Sequence, residues 1–229
     1  KAYNNRGNAH SSLGMYDEAI EDFSRAIEIN PENAVAYYNR GIEYGKKGLI
    51  EQAMEDFSRA IAIKPDLAEA YYNRGVAYQR IEKYEEAIAD YSRAIDLSPY
   101  SEKAYNNRGN AHAALGMYNE AVSDFSRAIG INPENPTAYY NRGIEYGKKG
   151  LFEEAISDFS KAVALRPDLA EAYYNMGNIY YNRNMCREAI QEFDRALEVK
   201  PGYARAFLNK ALAYEKLSMS SDAIEAYKG

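Results

Sequence analysis

The sequence predicts an all-α fold, a solenoid of helix–turn–helix repeats, on three observations. Six of the seven prolines, Pro31, Pro65, Pro99, Pro133, Pro167 and Pro201, fall 34 residues apart. Aromatic, glycine and alanine columns recur at that same interval. Within each interval, apolar residues take helical spacing in two stretches, such as Tyr37, Gly41 and Tyr44, then Ala53, Phe57 and Ala60. A fixed period of this length marks an array of one supersecondary unit, whose neighbours together bury a core that no unit buries alone.

Seven units follow in order, near residues 1–33, 34–67, 68–101, 102–135, 136–169, 170–203 and 204–229. The first helix of each, helix A, carries an aromatic and a small residue: Tyr3 and Gly7, Tyr37 and Gly41, Tyr71 and Gly75, Tyr105 and Gly109, Tyr139 and Gly143, Tyr173 and Gly177, Phe207 and Ala211. The second, helix B, carries an alanine and then an aromatic: Ala19 and Phe23, Ala53 and Phe57, Ala87 and Tyr91, Ala121 and Phe125, Ala155 and Phe159, Ala189 and Phe193, Ala223 and Tyr227. Small residues sit where the paired helices approach most closely, and aromatics fill the space beside them. A proline stops each helix B and turns the chain into the next unit. In the second unit, helix A is expected near 34–47 and helix B near 51–63, with Gly48 in the turn.

With these residues at fixed offsets in seven successive units, the chain resembles the tetratricopeptide repeat family over its whole length. The resemblance implies a right-handed superhelix whose helices A line a concave groove, and a role as a protein-interaction scaffold. A longer period is also present. Residues 1–33 and 103–135 differ at six positions, and 37–49 and 139–151 are identical. The array therefore reads as one solenoid over 1–229, built from a duplicated three-unit block at 1–101 and 103–203 plus a partial unit. Surfaces three units apart are expected to be near copies. The chain starts and ends inside units, which reads as part of a longer array. Uncapped ends of this kind predict end-to-end self-association between molecules.

Composition narrows the function. A net charge of -6 and a pI near 5.2 argue against nonspecific nucleic-acid binding, which needs a basic stripe. No apolar run approaches the roughly 20 residues that span a bilayer, and no signal peptide is visible. The single Cys186 cannot form an internal disulfide and suits a reducing compartment, so a cytoplasmic location is expected.

Catalysis, metal binding and cofactors find no support. His10 and His112 are copies of one position three units apart, too distant to share a metal, and read as structural. Cys186 stands where other units have Tyr16, Tyr84, Tyr118, Ile50 or Phe152, and reads as packing. The run Gly41-Ile42-Glu43-Tyr44-Gly45-Lys46-Lys47 fails as a phosphate loop on spacing, follows no strand and lies along a helix.

The asparagines carry the functional signal. Asn5, Asn39, Asn73, Asn107, Asn141, Asn175 and Asn209 occupy one column in helix A. Asparagine is a poor helix-interior residue, because its side chain competes for backbone hydrogen bonds. The resemblance places this column on the groove, where some large family members hold an extended peptide by its backbone. An amide suits that role, with a donor and an acceptor to offer a peptide unit. The competing reading takes asparagine as simply the common residue of this position across the family, or satisfies the amides on a neighbouring helix. Tyr38, Tyr72, Tyr140 and Tyr174 precede four of the asparagines and offer stiff, amphipathic contact area. Lys46, Arg80 and Lys148 near the ends of helices A favour a ligand with acidic side chains. The expected partner is a protein or peptide segment; the alternative is a structural spacer or self-assembling array with an empty groove.

Some family members clamp a C-terminal carboxylate with cations that this chain lacks: Asn4, Glu69 and Asn73 stand in their places, as do Asn106, Glu171 and Asn175. A further pairing is predicted, between helices A and B or between adjacent units. Arg6, Arg40, Arg74, Arg108 and Arg142 precede the helix A glycine, and Asp22, Asp56, Asp90, Asp124 and Asp158 precede the helix B aromatic in the same units. In the next units the two columns change together, to Met176 with Glu192 and to Lys210 with Ala226.

Overall fold

Every proline of the 34-residue series falls in the short link after a second helix, and two helices form between successive links. A computed structural model describes residues 1–228. Its helices are α1 (Ala2–Ser12), α2 (Tyr16–Ile29), α3 (Ala34–Lys46), α4 (Ile50–Ile63), α5 (Ala68–Arg80), α6 (Tyr84–Leu97), α7 (Glu102–Ala114), α8 (Tyr118–Ile131), α9 (Pro136–Lys148), α10 (Phe152–Leu165), α11 (Ala170–Asn182), α12 (Cys186–Val199), α13 (Ala204–Lys216) and α14 (Ser220–Ala226). Odd-numbered helices are the predicted helices A and even-numbered ones the helices B. No strand occurs among the described residues. The helices group into two compact units, Lys1–Met117 with α1–α7 and Tyr118–Gly229 with α8–α14.

Local chemistry sets the helix ends. The Asn33 side chain caps α3 by accepting from the Ala36 N–H at 3.2 Å, and Asn135 caps α9, where Pro136 holds the first helical position. The A-to-B turn needs a left-handed residue. Gly48 has φ 78°, and the Leu49 N–H behind it donates to the Tyr44 carbonyl at 2.9 Å, closing the helix end. At this turn position the third, sixth and seventh repeats put Glu82, Asn184 and Ser218 at φ 60–62°. A side chain there is strained by about 1–2 kcal/mol. Glu82→Gly is accordingly expected to stabilise the protein by about 0.5–1 kcal/mol, read as a rise in the midpoint of denaturant unfolding.

Packing follows the columns. Within the first unit α1/α2, α3/α4 and α5/α6 pack as pairs; within the second, α9/α10, α11/α12 and α13/α14 do. Each helix B also packs on the next helix A in its unit, and successive helices A touch, as α3 touches α1 and α5. Phe23, Tyr91, Phe125, Phe159 and Phe193 are fully buried. The aromatic ring lies on the helix A glycine itself, closer than the sequence reading of rings beside the contact. A Cβ on Gly177 would come 2.5 Å from Phe193 Cε1, and one on Gly41 2.8 Å from Phe57 Cε1. A side chain at either position would force the ring to shift.

The predicted Arg–Asp link forms between helices A and B of one repeat. Arg40 donates from Nε and Nη2 to Asp56 at 2.8 Å each, and Arg74–Asp90 and Arg142–Asp158 repeat the bidentate geometry at 2.7 and 2.8 Å. The hydrogen bond to Asp56 holds the Arg40 guanidinium above its usual pKa, against burial, which lowers it. A third partner, with no signal in the sequence, joins each pair. Arg40 Nη1 donates to Ser24 Oγ of the preceding helix B at 2.9 Å, and Arg74, Arg108 and Arg142 reach Ser58, Ser92 and Ser126 likewise. Each of these serines donates in turn to its own helix carbonyl four residues back. One arginine therefore ties three helices.

The departures bring other partners. Where Met176 replaces the arginine, Glu192 pairs with Arg195 on its own helix at 3.0 Å. Where Lys210 takes the arginine place, Asp194 takes the serine place of the preceding helix B and meets it at 2.6 Å.

Candidate helix A groove

The asparagine and tyrosine columns, read separately in the sequence, meet in the structure as rungs between successive helices A. Asn73 Nδ2 donates to Tyr38 Oη at 3.1 Å and Asn107 Nδ2 to Tyr72 Oη at 2.9 Å. In the second unit, Asn175 reaches Tyr140 at 3.4 Å and Asn209 reaches Tyr174 at 3.2 Å. Each tyrosine lies one repeat before its asparagine and leans on its own helix B aromatic, with Tyr38–Phe57 and Tyr140–Phe159 ring centroids 6.1 and 5.8 Å apart. Burial pushes the phenol pKa of Tyr38, Tyr72 and Tyr140 up, so each stays protonated.

This geometry limits what an asparagine can offer. Asn73 uses its second N–H on the Glu69 carbonyl at 3.0 Å, and Asn209 uses its own on Asn178 Oδ1 at 2.7 Å. Both amide protons are engaged within the array, which leaves the amide carbonyl. The phenol, accepting from the asparagine, keeps its own O–H to donate. A rung thus presents one acceptor and one donor from two side chains, where the sequence expected both from the asparagine. In the first repeat Asn4 replaces the tyrosine, and Asn39 instead donates to Asn8 Oδ1 at 3.1 Å. Asn5 is exposed near the start of α1, and Asn141 lies half-buried on α9.

The cations differ from one another. Lys46 pairs with the buried Glu43 at 2.8 Å, and Lys148 with the buried Glu145 at 2.8 Å, so both charges are balanced inside the array. An i, i+3 Glu–Lys spacing was the sequence signal for this. Arg80 instead donates to the neutral Gly45 carbonyl at 3.1 Å.

Beside the rungs, equivalent clefts open between helices A in each unit. One, of about 190 Å³, lies between α3 and α5 over α4 and is lined by Ile42, Gly45, Ile50, Phe57, Val76 and Arg80. The other, of about 410 Å³, lies between α9 and α11 over α10, with Ile144, Gly147, Phe152, Phe159, Asn178 and Asn182 at the matching positions.

The first histidine and the cysteine have partners inside the repeats. His10 Nδ1 lies 2.9 Å from Asp22 Oδ2, a carboxylate that Arg6 also holds, and Cys186 is buried against Ile190 and Ala213. Among the described residues no group of His, Cys, Asp and Glu could hold a metal ion, and no helix is long and apolar enough to cross a membrane.

Solved structures with this arrangement include YrrB, described as a TPR protein with an unusual peptide-binding site, at 26% identity and TM-score 0.72, covering 80% of this chain and 95% of that one. A MamA structure matches at 29% identity and TM-score 0.68, covering 72% and 96%. The pilF protein of Pseudomonas aeruginosa shares the fold at 22% identity and TM-score 0.71, covering 84% and 88%. No curated protein sequence matches. Tetratricopeptide repeat models match residues 1–33, 68–101 and 170–203, and a further one 23–55. A TPR repeat model matches 43–82, 109–150 and 145–184, over half of the chain. Paired helices, glycine-seated aromatics and these matches agree: the chain belongs to the tetratricopeptide repeat family.

Proposed function

We propose that the protein is an interaction scaffold that holds an extended peptide segment along its helices A. The observation that carries this reading is the Tyr–Asn rung, which occurs twice in each unit: Tyr38–Asn73 and Tyr72–Asn107 in the first, Tyr140–Asn175 and Tyr174–Asn209 in the second. Each rung offers one donor and one acceptor, the complement of one peptide unit. Neighbouring helices lie about 8–10 Å apart and an extended chain rises about 3.3 Å per residue. Rungs then meet the peptide at roughly every third residue, which gives a sequence-tolerant grip. The peptide-binding site named for YrrB supports the same use of the fold. Each hydrogen bond contributes only about 0.5–1.5 kcal/mol, so affinity comes from several rungs acting together.

The test is a variant with Asn73, Asn107 and Asn175 all changed to Ala, probed with peptides selected from a random phage-displayed library on the unaltered chain. Binding is expected to fall by about tenfold or more, the sum of several such bonds, while thermal unfolding shifts little. Unchanged binding overturns the reading and leaves the rungs as ties within the scaffold.

A further inference from the structure

Two helix interiors carry a glycine that packing does not require. Gly45 in α3 and Gly147 in α9 stand where the other repeats have Ser11, Gln79, Ala113, Tyr181 and Glu215. A Cβ added at either would meet nothing within 4 Å. Glycine weakens a helix interior relative to alanine, so the array keeps a destabilising residue at two positions where an added Cβ would meet open space. Both border the clefts between helices A. This contrasts with Gly41 and Gly143 on the same helices, where a Cβ would strike the Phe57 and Phe159 rings at 2.8 Å.

We infer that these glycines keep the clefts open for an apolar side chain of the bound peptide, and that Arg80 gives the first cleft a preference for a carboxylate next to that side chain. The inference rests on the groove reading and names what the groove selects. Ile42, Ile50, Phe57 and Val76 form an apolar wall and floor, and Phe57 is buried beneath. Such a lining gains most from a side chain that leaves water. Arg80 is exposed at the rim, and its guanidinium bonds a neutral backbone carbonyl rather than a carboxylate. An acidic group on the ligand would complete it by a charge-assisted bond. Lys46, next to Gly45, does not serve, because Glu43 already balances it. The second cleft has Asn182 in the arginine position and amides at Asn175 and Asn178, so it takes an apolar side chain without the acidic preference.

Peptides enriched from a random phage-displayed library on the full chain supply the probes, measured by fluorescence anisotropy. Peptides pairing a large apolar residue with Asp or Glu are expected to dominate. Gly45→Leu with Gly147→Leu should fill both clefts and weaken binding by about tenfold or more, the loss of buried apolar contact. The melting temperature of that variant should stay level or rise, which separates blocking from misfolding. Arg80→Asn should erase the preference for a Glu-containing peptide over its Gln counterpart. Wild-type affinity in the Leu variant, with loss in the asparagine triple variant, overturns the clefts and leaves the groove reading standing. No enriched peptide, or full binding by the triple variant, overturns both. Equal affinity of the unaltered chain for the Glu and Gln peptides overturns the role of Arg80.

Discussion

Asp90→Ala is expected to lower stability by about 3–5 kcal/mol, measured by equilibrium denaturation followed by circular dichroism. The Asp90 side chain is 7% exposed and that of Arg74 19%, so the substitution leaves a guanidinium largely inside the array with no carboxylate, beside Ser58 and the Tyr71 and Tyr78 rings. An exposed ion pair would contribute at most about 1 kcal/mol, and burial is what raises the figure here. The double variant Asp90→Ala with Arg74→Met should recover most of the loss. The molecule already contains that solution, since Met176 fills the arginine place in the sixth repeat and packs in the core with Phe159. A double variant as unstable as the single one would show that the aspartate acts through something other than the arginine.

Phe193→Ala is expected to cost about 3–5 kcal/mol by the same measurement. The ring is wholly buried, packs with Ala189, Ala196 and Ala206, and lies on Gly177. The three alanines cannot extend into the space left behind, and the Tyr174 ring, 6.0 Å away, is held by the bond from Asn209. The cavity therefore persists and adds to the lost transfer energy. Tyr227, at the equivalent place in the last repeat, is 47% exposed, and Tyr227→Ala should cost far less. Similar losses at the two sites would contradict this account.

The repeat itself was fully legible in the sequence. Glycine, alanine and aromatic columns at constant period admit one packing, because a glycine that meets a ring and an alanine that meets a helix leave no freedom in how the pair approaches. In the second repeat, predicted helix limits of 34–47 and 51–63 stand beside observed Ala34–Lys46 and Ile50–Ile63. The Arg–Asp link was legible too, because both columns change together in the sixth and seventh repeats.

Partners that cross between repeats were not. Ser24 and Ser58 look like ordinary helix-surface residues until the next repeat brings Arg40 and Arg74 over them. The Tyr38–Asn73 rung joins residues 35 apart, a pairing set by how successive helices A lie against each other. The i, i+3 spacing of Glu43 with Lys46 and of Glu145 with Lys148 was visible, but the burial of the two glutamates was not, since it depends on the helix packed over them.

Composition, period and column chemistry by themselves determined that this chain folds as paired helices of the tetratricopeptide type, because those features act within one repeat. Only the tertiary structure decided that the asparagines bond the tyrosines of the preceding repeat, that one arginine ties three helices, and that Gly45 and Gly147 border open clefts while Gly41 and Gly143 seat rings. The physical reason is that a repeat's sequence specifies its own core. What its surface can still offer a ligand depends on which donors, charges and cavities the adjoining helices have already taken.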